Sequence, residues 1–503
     1  MDKQARSYYD TKLDAFSDKA ERVFERVVPD ISKIKKVHLV GICGTAMGSL
    51  GGLLAAAGYK VSGSDEACYP PMSDLIKELG LEFKEGYKAE HVTGADLVVV
   101  GNASKPSNPE AAYAKEQGLP MLSLPEAIRL FFIGGINPKK SLVVAGTHGK
   151  TTTTGMLAHV FQHAGTDPSY MVGGVMQNYA QSFRLGKGSH FIIEGDEYDT
   201  AYFDKSPKFL HYVPTCAIIT SLEFDHIDIY KNMEEYTQAF TFLAEELPPD
   251  GALFLCGDDP AVRALASAAE CPVYFYGIGE RNDITARNIT IHAEGQEFDL
   301  VMNGEAMGVM ELPLSGKHNL QNALAVCGLA LQQGISIEDL KAGLRTFRGM
   351  KRRQEIIGDV GGVVVIDDFA HHPTAVRETI KAIREKYPDR RLITAFEPRS
   401  NTSRRKVFEA EYGRAFDEAD VVCLSIPPFR HNDKKEDFID ADHVVALINQ
   451  KSMDGSIKAG HFPNADELLS KLVSRLLSGD VVLVMSNGSF DGLNQKLLAA
   501  LQK

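Results

Sequence analysis

The feature that most constrains the fold of this chain is an apolar run that passes through a glycine-bearing loop into a threonine-rich segment. It reads Val143-Val144-Ala145-Gly146-Thr147-His148-Gly149-Lys150-Thr151-Thr152-Thr153-Thr154. A buried strand, a short loop ending in Lys-Thr and a following helix present backbone N–H groups and one ammonium group to phosphate. The run therefore predicts an α/β fold that binds a nucleotide at the end of a strand.

The loop departs from the general phosphate-loop pattern at one position. Val144 stands where that pattern has its first glycine, so the loop is a shortened variant with glycines at 146 and 149. Lys150 can neutralise β- and γ-phosphate oxygens, and the Thr151 hydroxyl can bind Mg²⁺. The alternative is a glycine-punctuated turn that binds nothing.

Length and charge narrow the class of protein. A chain of 503 residues is too long for a single core, so about three domains of roughly 100 to 200 residues are expected. The formal net charge of -13 argues against non-specific nucleic-acid binding, which needs an excess of Lys and Arg.

Cysteine usage and hydropathy predict a cytoplasmic protein. The 7 cysteines contain no C-x-x-C pair, and we interpret them as buried small hydrophobic residues in a reducing compartment. The sequence shows neither a signal peptide nor a run near the ~18 apolar residues of a membrane span. We therefore expect no membrane partner.

Repeated strand, glycine turn and helix patterns predict three α/β domains. Residues 1–136 are expected to form a Rossmann-like domain with a helical lead over 1–35. Residues 137–354 are expected to form a P-loop ATPase-like central domain, and residues 355–503 a second Rossmann-like domain. Turn-rich residues near 134–140 and a charged cluster near 351–355 mark the boundaries.

A second glycine-rich loop lies near the start of the chain. Gly41, Gly44 and Gly48 have the spacing G-x-x-G-x-x-x-G, which differs from the G-x-G-x-x-G of dinucleotide sites. The loop still suits a diphosphate at a helix N-terminus, and Asp65 falls where such folds place a carboxylate near a ribose or base. The alternative is a tight packing turn without a ligand.

Two acidic segments follow predicted strands of the central domain. Glu194 opens the segment 194–199 at the end of a buried strand, and beside the Lys-Thr loop it is expected to complete a Mg²⁺ site. His226, preceded by the acidic segment 223–225, is a candidate ligand for a second metal ion. Taken alone, the first segment would be interpreted as an exposed acidic turn.

Later polar groups fit a nucleoside and its phosphates. Asn319 and Asn322 are spaced i, i+3 on a predicted helix and can bind an adenine edge, although helix capping is the alternative. Arg353 supplies a cation for phosphate oxygens, and Asp368 a carboxylate for a ribose. Arg399 follows a predicted strand, where α/β folds place ligands.

In this order the motifs resemble the Mur ligase family, the ATP-dependent amide-forming enzymes of peptidoglycan metabolism, over residues 36–500. The motifs are Gly146-Thr147-His148-Gly149-Lys150-Thr151, Glu194-Gly195-Asp196-Glu197, Glu223-Phe224-Asp225-His226, His318-Asn319 with Asn322, Arg353, and Asp367-Asp368 with His371-His372-Pro373. The resemblance implies a ligase that uses ATP and Mg²⁺, activates a carboxylate as an acyl phosphate and releases ADP and phosphate.

The resemblance also implies a role for each matching residue. ATP would contact Gly146, Thr147, His148, Gly149, Lys150, Thr151, Thr152, Asn319, Asn322, Arg353 and Asp368. Metal ions would bind Thr151, Glu194 and His226, and the catalytic residues would be Lys150, Glu194 and His226. A UDP-sugar would contact Gly41, Gly44, Thr45, Gly48 and Asp65, and an incoming peptide would contact His371 and Arg399.

Five segments favour the murein peptide ligase branch of the family, which joins UDP-N-acetylmuramate to the recycled tripeptide L-alanyl-γ-D-glutamyl-meso-diaminopimelate. They are Tyr69-Pro70-Pro71-Met72-Ser73, Phe203-Asp204-Lys205-Ser206-Pro207-Lys208-Phe209, Leu222-Glu223-Phe224-Asp225-His226, Glu397-Pro398-Arg399-Ser400-Asn401-Thr402 and Met485-Ser486-Asn487-Gly488. The alternative within the family is the UDP-N-acetylmuramate L-alanine ligase of de novo peptidoglycan synthesis.

One departure from the family pattern concerns the second metal site. Several members support that metal with a carbamylated lysine in the helix after the His-bearing motif, but residues 232–250 contain no lysine. Another group or water must then complete the site. Outside the family, the alternatives are a nicotinamide-dependent oxidoreductase and a regulatory module that binds ATP and senses a muramyl nucleotide.

Overall fold

The structure is a computed structural model that describes residues 29–69, 72–225, 229–426, 434–450 and 458–502. Most of the predicted helical lead over residues 1–35 lies outside the described residues. The described chain forms one separate main sheet in each of three successive regions, with helices packed against them. The predicted α/β fold with three sheet-based units is confirmed, whereas the exact domain boundaries stay a prediction.

The first region is a five-stranded parallel sheet with the strand order β3-β2-β1-β4-β5. Its strands are β1 (Lys36–Val40), β2 (Lys60–Asp65), β3 (Glu82–Glu85), β4 (Leu97–Val100) and β5 (Met121–Ser123). Its helices are α1 (Thr45–Ala56), α2 (Met72–Glu78), α3 (Pro109–Glu116) and α4 (Leu124–Ile128). The central strands β1 and β4 are buried without alternation apart from Lys36, because both faces of the sheet are covered.

The central region contains a ten-stranded sheet with the order β17-β16-β15-β14-β13-β12-β6-β9-β7-β8 and a small β10-β11 hairpin. Its strands are β6 (Lys140–Ala145), β7 (Ser169–Met176), β8 (Gln181–Arg184), β9 (His190–Glu194), β10 (Asp199–Ala201), β11 (Asp204–Pro207), β12 (Cys216–Ile219), β13 (Ala252–Cys256), β14 (Val273–Tyr276), β15 (Ile284–His292), β16 (Gly295–Met302) and β17 (Glu305–Leu312). Its helices are α5 (Lys150–His163), α6 (Met233–Glu245), α7 (Pro260–Ala264), α8 (Lys317–Gln332) and α9 (Ile337–Thr346).

The third region is a six-stranded sheet with the order β18-β19-β23-β20-β21-β22, in which only the β18–β19 pair is antiparallel. Its strands are β18 (Glu355–Val360), β19 (Val363–Asp368), β20 (Leu392–Glu397), β21 (Val421–Ser425), β22 (Ala459–Phe462) and β23 (Val481–Ser486). Its helices are α10 (Pro373–Lys386), α11 (Glu409–Ala415), α12 (Ala441–Asn449), α13 (Ala465–Val473) and α14 (Leu493–Leu501).

The first two regions share a continuous core, whereas the third has its own. Helix α1 packs on the central region so closely that a Cβ atom at Gly52 would collide with the Phe183 ring, and Phe132 stacks on Phe191 with ring centroids 6.0 Å apart. The third sheet has a separate apolar cluster on each of its two faces. The third region meets the central region beside the site described below.

Apolar runs at residues 191–193, 217–220, 252–255 and 273–276 predict strands of the central region. The structure confirms them as β9, β12, β13 and β14. The antiparallel extension β15–β16–β17 has no counterpart among the sequence predictions. Its strands are partly exposed, so they lack the continuous apolar runs that mark buried parallel strands. No described helix has the length and apolar character needed to cross a membrane.

The interpretation of the cysteines as buried thiols is wrong for two of them. Cys43 and Cys68 form a disulfide with Cα atoms 5.6 Å apart, and both are half-buried. The remaining five are buried and free. The two residues pair because they occupy loops that leave the same edge of the sheet after the adjacent strands β1 and β2, a proximity that sequence spacing does not reveal.

Candidate active site

The phosphate loop joins β6 to α5 and needs glycine at two positions. Gly149 precedes the first residue of α5 with φ = 80°, and a Cβ atom there would lie 2.6 Å from Asn322 Oδ1. Gly146 has φ = 122°, and a Cβ atom there would collide with Thr220. Both glycines therefore supply a backbone conformation and a clearance that side chains would remove.

Hydrogen bonds to the end of β12 fix the shape of this loop. The Thr147 N–H donates to the Ser221 carbonyl and the His148 N–H donates to Ser221 Oγ, both at 2.9 Å. The Thr147 hydroxyl donates to the Glu223 carbonyl at 3.0 Å. These bonds within the protein hold the loop in one shape, which is the preorganisation that an anion site requires.

Lys150 is held at the start of α5 by a buried carboxylate. Its Nζ donates to Glu197 Oε2 at 2.8 Å, to Glu197 Oε1 at 3.1 Å and to the Gly146 carbonyl at 2.6 Å. Burial by itself lowers the pKa of Lys150, but Glu197 and neighbouring carboxylates outweigh this, so the pKa is raised overall. The sequence does not predict that Glu197 pairs with Lys150, because Glu197 is only one of several acidic residues in the segment 194–199. Its position three residues after Glu194, the predicted metal ligand, is the one local feature that sets it apart.

Glu194 and Thr151 form the oxygen pair expected of a Mg²⁺ site. The Thr151 hydroxyl donates to Glu194 Oε1 at 3.1 Å, and the Gly173 N–H donates to Oε2 at 2.8 Å. A Cβ atom at Gly173 would lie 2.6 Å from Oε2, and burial raises the pKa of Glu194. Two hard oxygen donors beside a phosphate loop fit Mg²⁺. His226, the other predicted metal ligand, lies outside the described residues.

A cavity of 490 Å³ opens beside these groups, between the central and the third regions. The predicted residues that line it are Thr147, His148, Gly149, Lys150, Thr151, Thr152, Glu194, Asn319, Asn322, Arg353, Asp368 and His371. The cavity thus brings together residues that are up to 224 positions apart in sequence, from Thr147 to His371.

Asn319 and Asn322 are neighbours in the first turns of α8. The Asn322 amide donates to Asn319 Oδ1 at 3.5 Å, and the Asn319 amide donates to the Ser315 carbonyl at 2.8 Å. Both side chains are buried, and Asn322 lies directly against Gly149 of the phosphate loop. The predicted pairing on one helix face is present, and its contact with adenine stays a prediction.

Arg353 and Asp368 stand where the central region passes into the third. The Arg353 guanidinium lies 4.7 Å from the centre of the Phe369 ring, and burial lowers its pKa although Asp368 and Glu194 oppose this. The Asp368 carboxylate accepts the Gln354 N–H at 2.8 Å and the Ala370 N–H at 2.7 Å. Asp368 therefore shapes both backbone segments around Arg353, and its contact with a ribose stays a prediction.

Glu223 connects the phosphate loop to the third region. Its Oε2 lies 2.9 Å from His148 Nε2 and 3.6 Å from His372 Nδ1, and its Oε1 accepts the Thr374 hydroxyl at 2.6 Å. Burial opposes ionisation, yet these partners lower the pKa of Glu223 to about 2. His371 lies next to this group, with Nδ1 3.0 Å from the Phe369 carbonyl, and burial lowers its pKa to about 4.

The first glycine-rich loop lies at the carboxyl ends of β1 and β2. The Gly41 N–H donates to the Ser64 carbonyl at 2.8 Å, and the Cys43 N–H donates to Asp65 Oδ2 at 3.0 Å. Gly44 precedes α1, and Gly44 and Thr45 are exposed at this helix N-terminus. Within the described chain, this loop does not contribute to the 490 Å³ cavity.

Arg399 lies in a polar cluster at the ends of β20 and β23. Glu397 accepts Arg399 Nη1 at 3.4 Å and the Ser486 hydroxyl at 2.6 Å. Arg399 packs so closely on Gly488 that a Cβ atom there would collide with it, and Arg352 Nη2 donates to the Ser486 and Gly488 carbonyls. Arg399 is not among the described residues that line the cavity, whereas the predicted peptide contact His371 is.

These features define a nucleotide-dependent enzyme whose phosphate loop faces a cavity that the third region completes. Sequence comparisons agree with this class. The Mur ligase family catalytic domain matches residues 36–133, the Mur ligase middle domain matches residues 144–330, and the Mur ligase glutamate ligase domain matches residues 352–488. The chain belongs to the Mur ligase family, and the resemblance deduced from the motifs is confirmed.

Individual relatives carry two different names. The UDP-N-acetylmuramate–L-alanyl-gamma-D-glutamyl-meso-2,6-diaminoheptandioate ligase of Escherichia coli K12 is 35% identical over 93% of this chain and 98% of its own length. The UDP-N-acetylmuramate–L-alanine ligase of Salinibacter ruber is 36% identical over 92% of this chain and 94% of its own length. The crystal structure of a murein peptide ligase from Psychrobacter arcticus matches with a TM-score of 0.69 and 32% identity, covering 93% of this chain and 99% of that one.

The protein is therefore an ATP-dependent ligase that forms a carbon–nitrogen bond, as members of this family are. The oxidoreductase alternative is wrong, and so is the alternative of a non-catalytic nucleotide-binding module.

Proposed function

We propose that this enzyme joins UDP-N-acetylmuramate to the tripeptide L-alanyl-γ-D-glutamyl-meso-diaminopimelate in peptidoglycan recycling. The tripeptide is favoured as the acceptor by the contact between two of the five segments that are typical of the murein peptide ligase branch. Segments 397–402 and 485–488 lie far apart in sequence, yet Glu397, Arg399, Ser486 and Gly488 form one polar cluster at adjacent strand ends. The tripeptide carries several carboxylates where free alanine carries one, and an arginine held in this way can bind such a group.

The phosphate loop supports the proposal that the enzyme binds ATP in the cavity beside it. Lys150 would neutralise the γ-phosphate of ATP, Thr151 and Glu194 would hold one Mg²⁺, and His226 would hold a second. Bound Mg²⁺ would neutralise charge on the phosphate oxygens. Asn319, Asn322, Arg353 and Asp368 would surround the nucleoside and phosphates, as their position around the cavity supports.

The chemical sequence follows from the need to activate a carboxylate. The lactyl carboxylate of UDP-N-acetylmuramate attacks the γ-phosphorus, ADP leaves, and an acyl phosphate forms. The tripeptide amine then attacks the acyl carbon, loses a proton, and phosphate leaves. Lys150, which is preorganised at the helix start, stabilises the charge that develops on the transferred phosphoryl group. The diphosphate of the UDP-sugar is assigned to the loop from Gly41 to Gly48.

The acceptor is tested by phosphate release with ATP, Mg²⁺ and UDP-N-acetylmuramate, comparing the tripeptide with free L-alanine. We expect a kcat/KM at least tenfold higher with the tripeptide. Arg399→Ala should lower kcat/KM for the tripeptide by about 10- to 100-fold, the scale of a lost charge-assisted hydrogen bond, and leave KM for ATP unchanged. Arg345→Ala, which alters an exposed arginine of α9, is the matched control.

The second candidate is UDP-N-acetylmuramate L-alanine ligase, because two relatives with that name are 34% and 36% identical to this chain and two named for the tripeptide are 35% and 36% identical. Faster turnover with L-alanine than with the tripeptide would overturn the proposed acceptor and establish this alternative.

A further inference from the structure

Two cysteines link the glycine-rich loop of the first region to the chain that follows β2. Cys43 lies within the loop and Cys68 lies three residues after Asp65, and the two sulfur atoms are bonded across 25 positions of sequence. Their Cα separation of 5.6 Å is that of ordinary disulfides. The link therefore closes a ring through α1 and β2, and it joins the glycine-rich loop to the segment after β2.

This pair differs from every other cysteine of the chain in its surroundings. Cys43 and Cys68 are half-buried at the rim of the sheet, whereas the other five cysteines are buried. Burial raises the pKa of Cys216, Cys256 and Cys423 to about 11, which suppresses their thiolates at neutral pH. Thiol–disulfide exchange needs a thiolate and access to a partner, so the rim pair is the one suited to it.

The disulfide acts on groups that shape the loop. The backbone N–H of Cys43 donates to Asp65 Oδ2, and Asp65 Oδ1 accepts the Tyr87 hydroxyl at 3.2 Å. Just beyond Cys68, helix α2 begins at Met72, whose methyl group packs against Gly48 of α1. The covalent bond and these contacts hold the loop with Gly44, Thr45 and Ala46 exposed at the N-terminus of α1.

We propose that Cys43 and Cys68 form a reversible redox pair that sets the affinity of the first region for a uridine diphosphate group. In oxidation, a Cys thiolate attacks a small-molecule disulfide and expels one thiolate. The second Cys thiolate then attacks the mixed disulfide and expels the other. The two cysteines lose two electrons and two protons, and the small disulfide becomes two thiols.

The disulfide form is the one with higher affinity. It fixes the loop in the conformation that exposes N–H groups at a helix N-terminus, so less conformational freedom is lost when an anion binds. Reduction leaves the hydrogen bonds to Asp65 but removes the covalent tie between the two segments. The link to a uridine nucleotide rests on the proposed function, whereas the thiol chemistry of the pair does not.

The first experiment measures the pair itself in the full-length protein. The protein is equilibrated with defined ratios of reduced and oxidised glutathione, alkylated without denaturation, and analysed by peptide mass spectrometry. We expect two thiols, at positions 43 and 68, to interconvert together, while the five buried cysteines stay unmodified. If the pair does not interconvert, or if another cysteine reacts first, the proposal is overturned.

The second experiment measures binding of UDP by titration calorimetry to the oxidised and reduced proteins, with Cys68→Ser as the matched control. We expect Kd to be about three- to tenfold lower for the oxidised protein, and the variant to match the reduced protein under both conditions. Equal affinities of the two redox forms, or weaker binding on oxidation, would overturn the proposal. A protein that shows this redox-dependent binding but no ligase activity would instead contradict the proposed function.

Discussion

The buried pair of Lys150 and Glu197 gives a sharp test of how the phosphate loop is organised. In Glu197→Gln the carboxylate becomes a neutral amide of nearly the same shape, so the Lys150 ammonium group loses its main counter-charge. It keeps the Gly146 carbonyl at 2.6 Å and the Thr147 carbonyl at 3.3 Å. Glu197 is fully buried and the Lys150 side chain is 13% exposed, so water compensates little.

Removing one member of a buried pair costs about 3–5 kcal/mol, and the retained amide favours the lower end of that range. For a domain of the size of the central region, 3 kcal/mol corresponds to a decrease in Tm of about 6–12 °C. The triphosphate of a non-hydrolysable ATP analogue would supply new negative charge beside Lys150. The increase in Tm caused by the analogue should therefore be larger in Glu197→Gln than in the wild-type protein.

The assay is scanning calorimetry with and without the analogue and Mg²⁺, following the transition that responds to the nucleotide. Lys150→Met combined with Glu197→Gln serves as the control, since it removes both charges. The double variant should be more stable than Glu197→Gln alone, because no buried charge is left unpaired. The reasoning would be refuted if Glu197→Gln lowered Tm by less than about 2 °C. It would also be refuted if the two substitutions lowered stability additively in the double variant.

Three further predictions concern catalysis, metal binding and pH. Lys150→Ala should lower turnover by about 100-fold or more at saturating ATP, which is the effect of losing one charge-stabilising donor. Near-normal phosphate release by this variant would contradict the role assigned to Lys150. Gly173→Ala should displace the Glu194 carboxylate and raise the Mg²⁺ concentration needed for half-maximal activity; an unchanged Mg²⁺ titration would contradict this. Burial lowers the pKa values of His159, His318, His371 and His372 to about 4, so the folded state binds fewer protons than the unfolded state between pH 6.5 and 4. Stability should therefore fall as the pH drops through that window, and a denaturation series should show a weaker pH dependence for His159→Gln than for the wild-type protein.

Several parts of the site could be predicted because their signal is local. The loop from Gly146 to Thr151 carries its strand, its turn and its helix start in consecutive residues, and the structure has all three as predicted. Asn319 and Asn322 meet because a spacing of three places them on one helix face. The apolar runs of β9 and β12 likewise predict buried parallel strands, and both strands are present.

Other parts depended on strand order, which local patterns do not encode. Gly173 lies next to Glu194 because β7 and β9 are neighbours in the sheet, and nothing in its sequence context points to a carboxylate. The link from Glu223 to Thr374 spans two regions of the chain. The disulfide could not be predicted for the same reason, since only the adjacency of β1 and β2 brings positions 43 and 68 together.

The sequence by itself determined the chemical inventory of this protein: a phosphate loop, a carboxylate for a metal ion, and an ordered series of motifs that identifies the Mur ligase family. These are properties of residue type and short spacing, which local physical chemistry can interpret. The tertiary structure alone decided that Lys150 is paired with Glu197, that two distant segments share the cluster around Arg399, and that Cys43 is bonded to Cys68. Such contacts depend on how strands are ordered and helices are packed, and those are set by the burial of the whole chain.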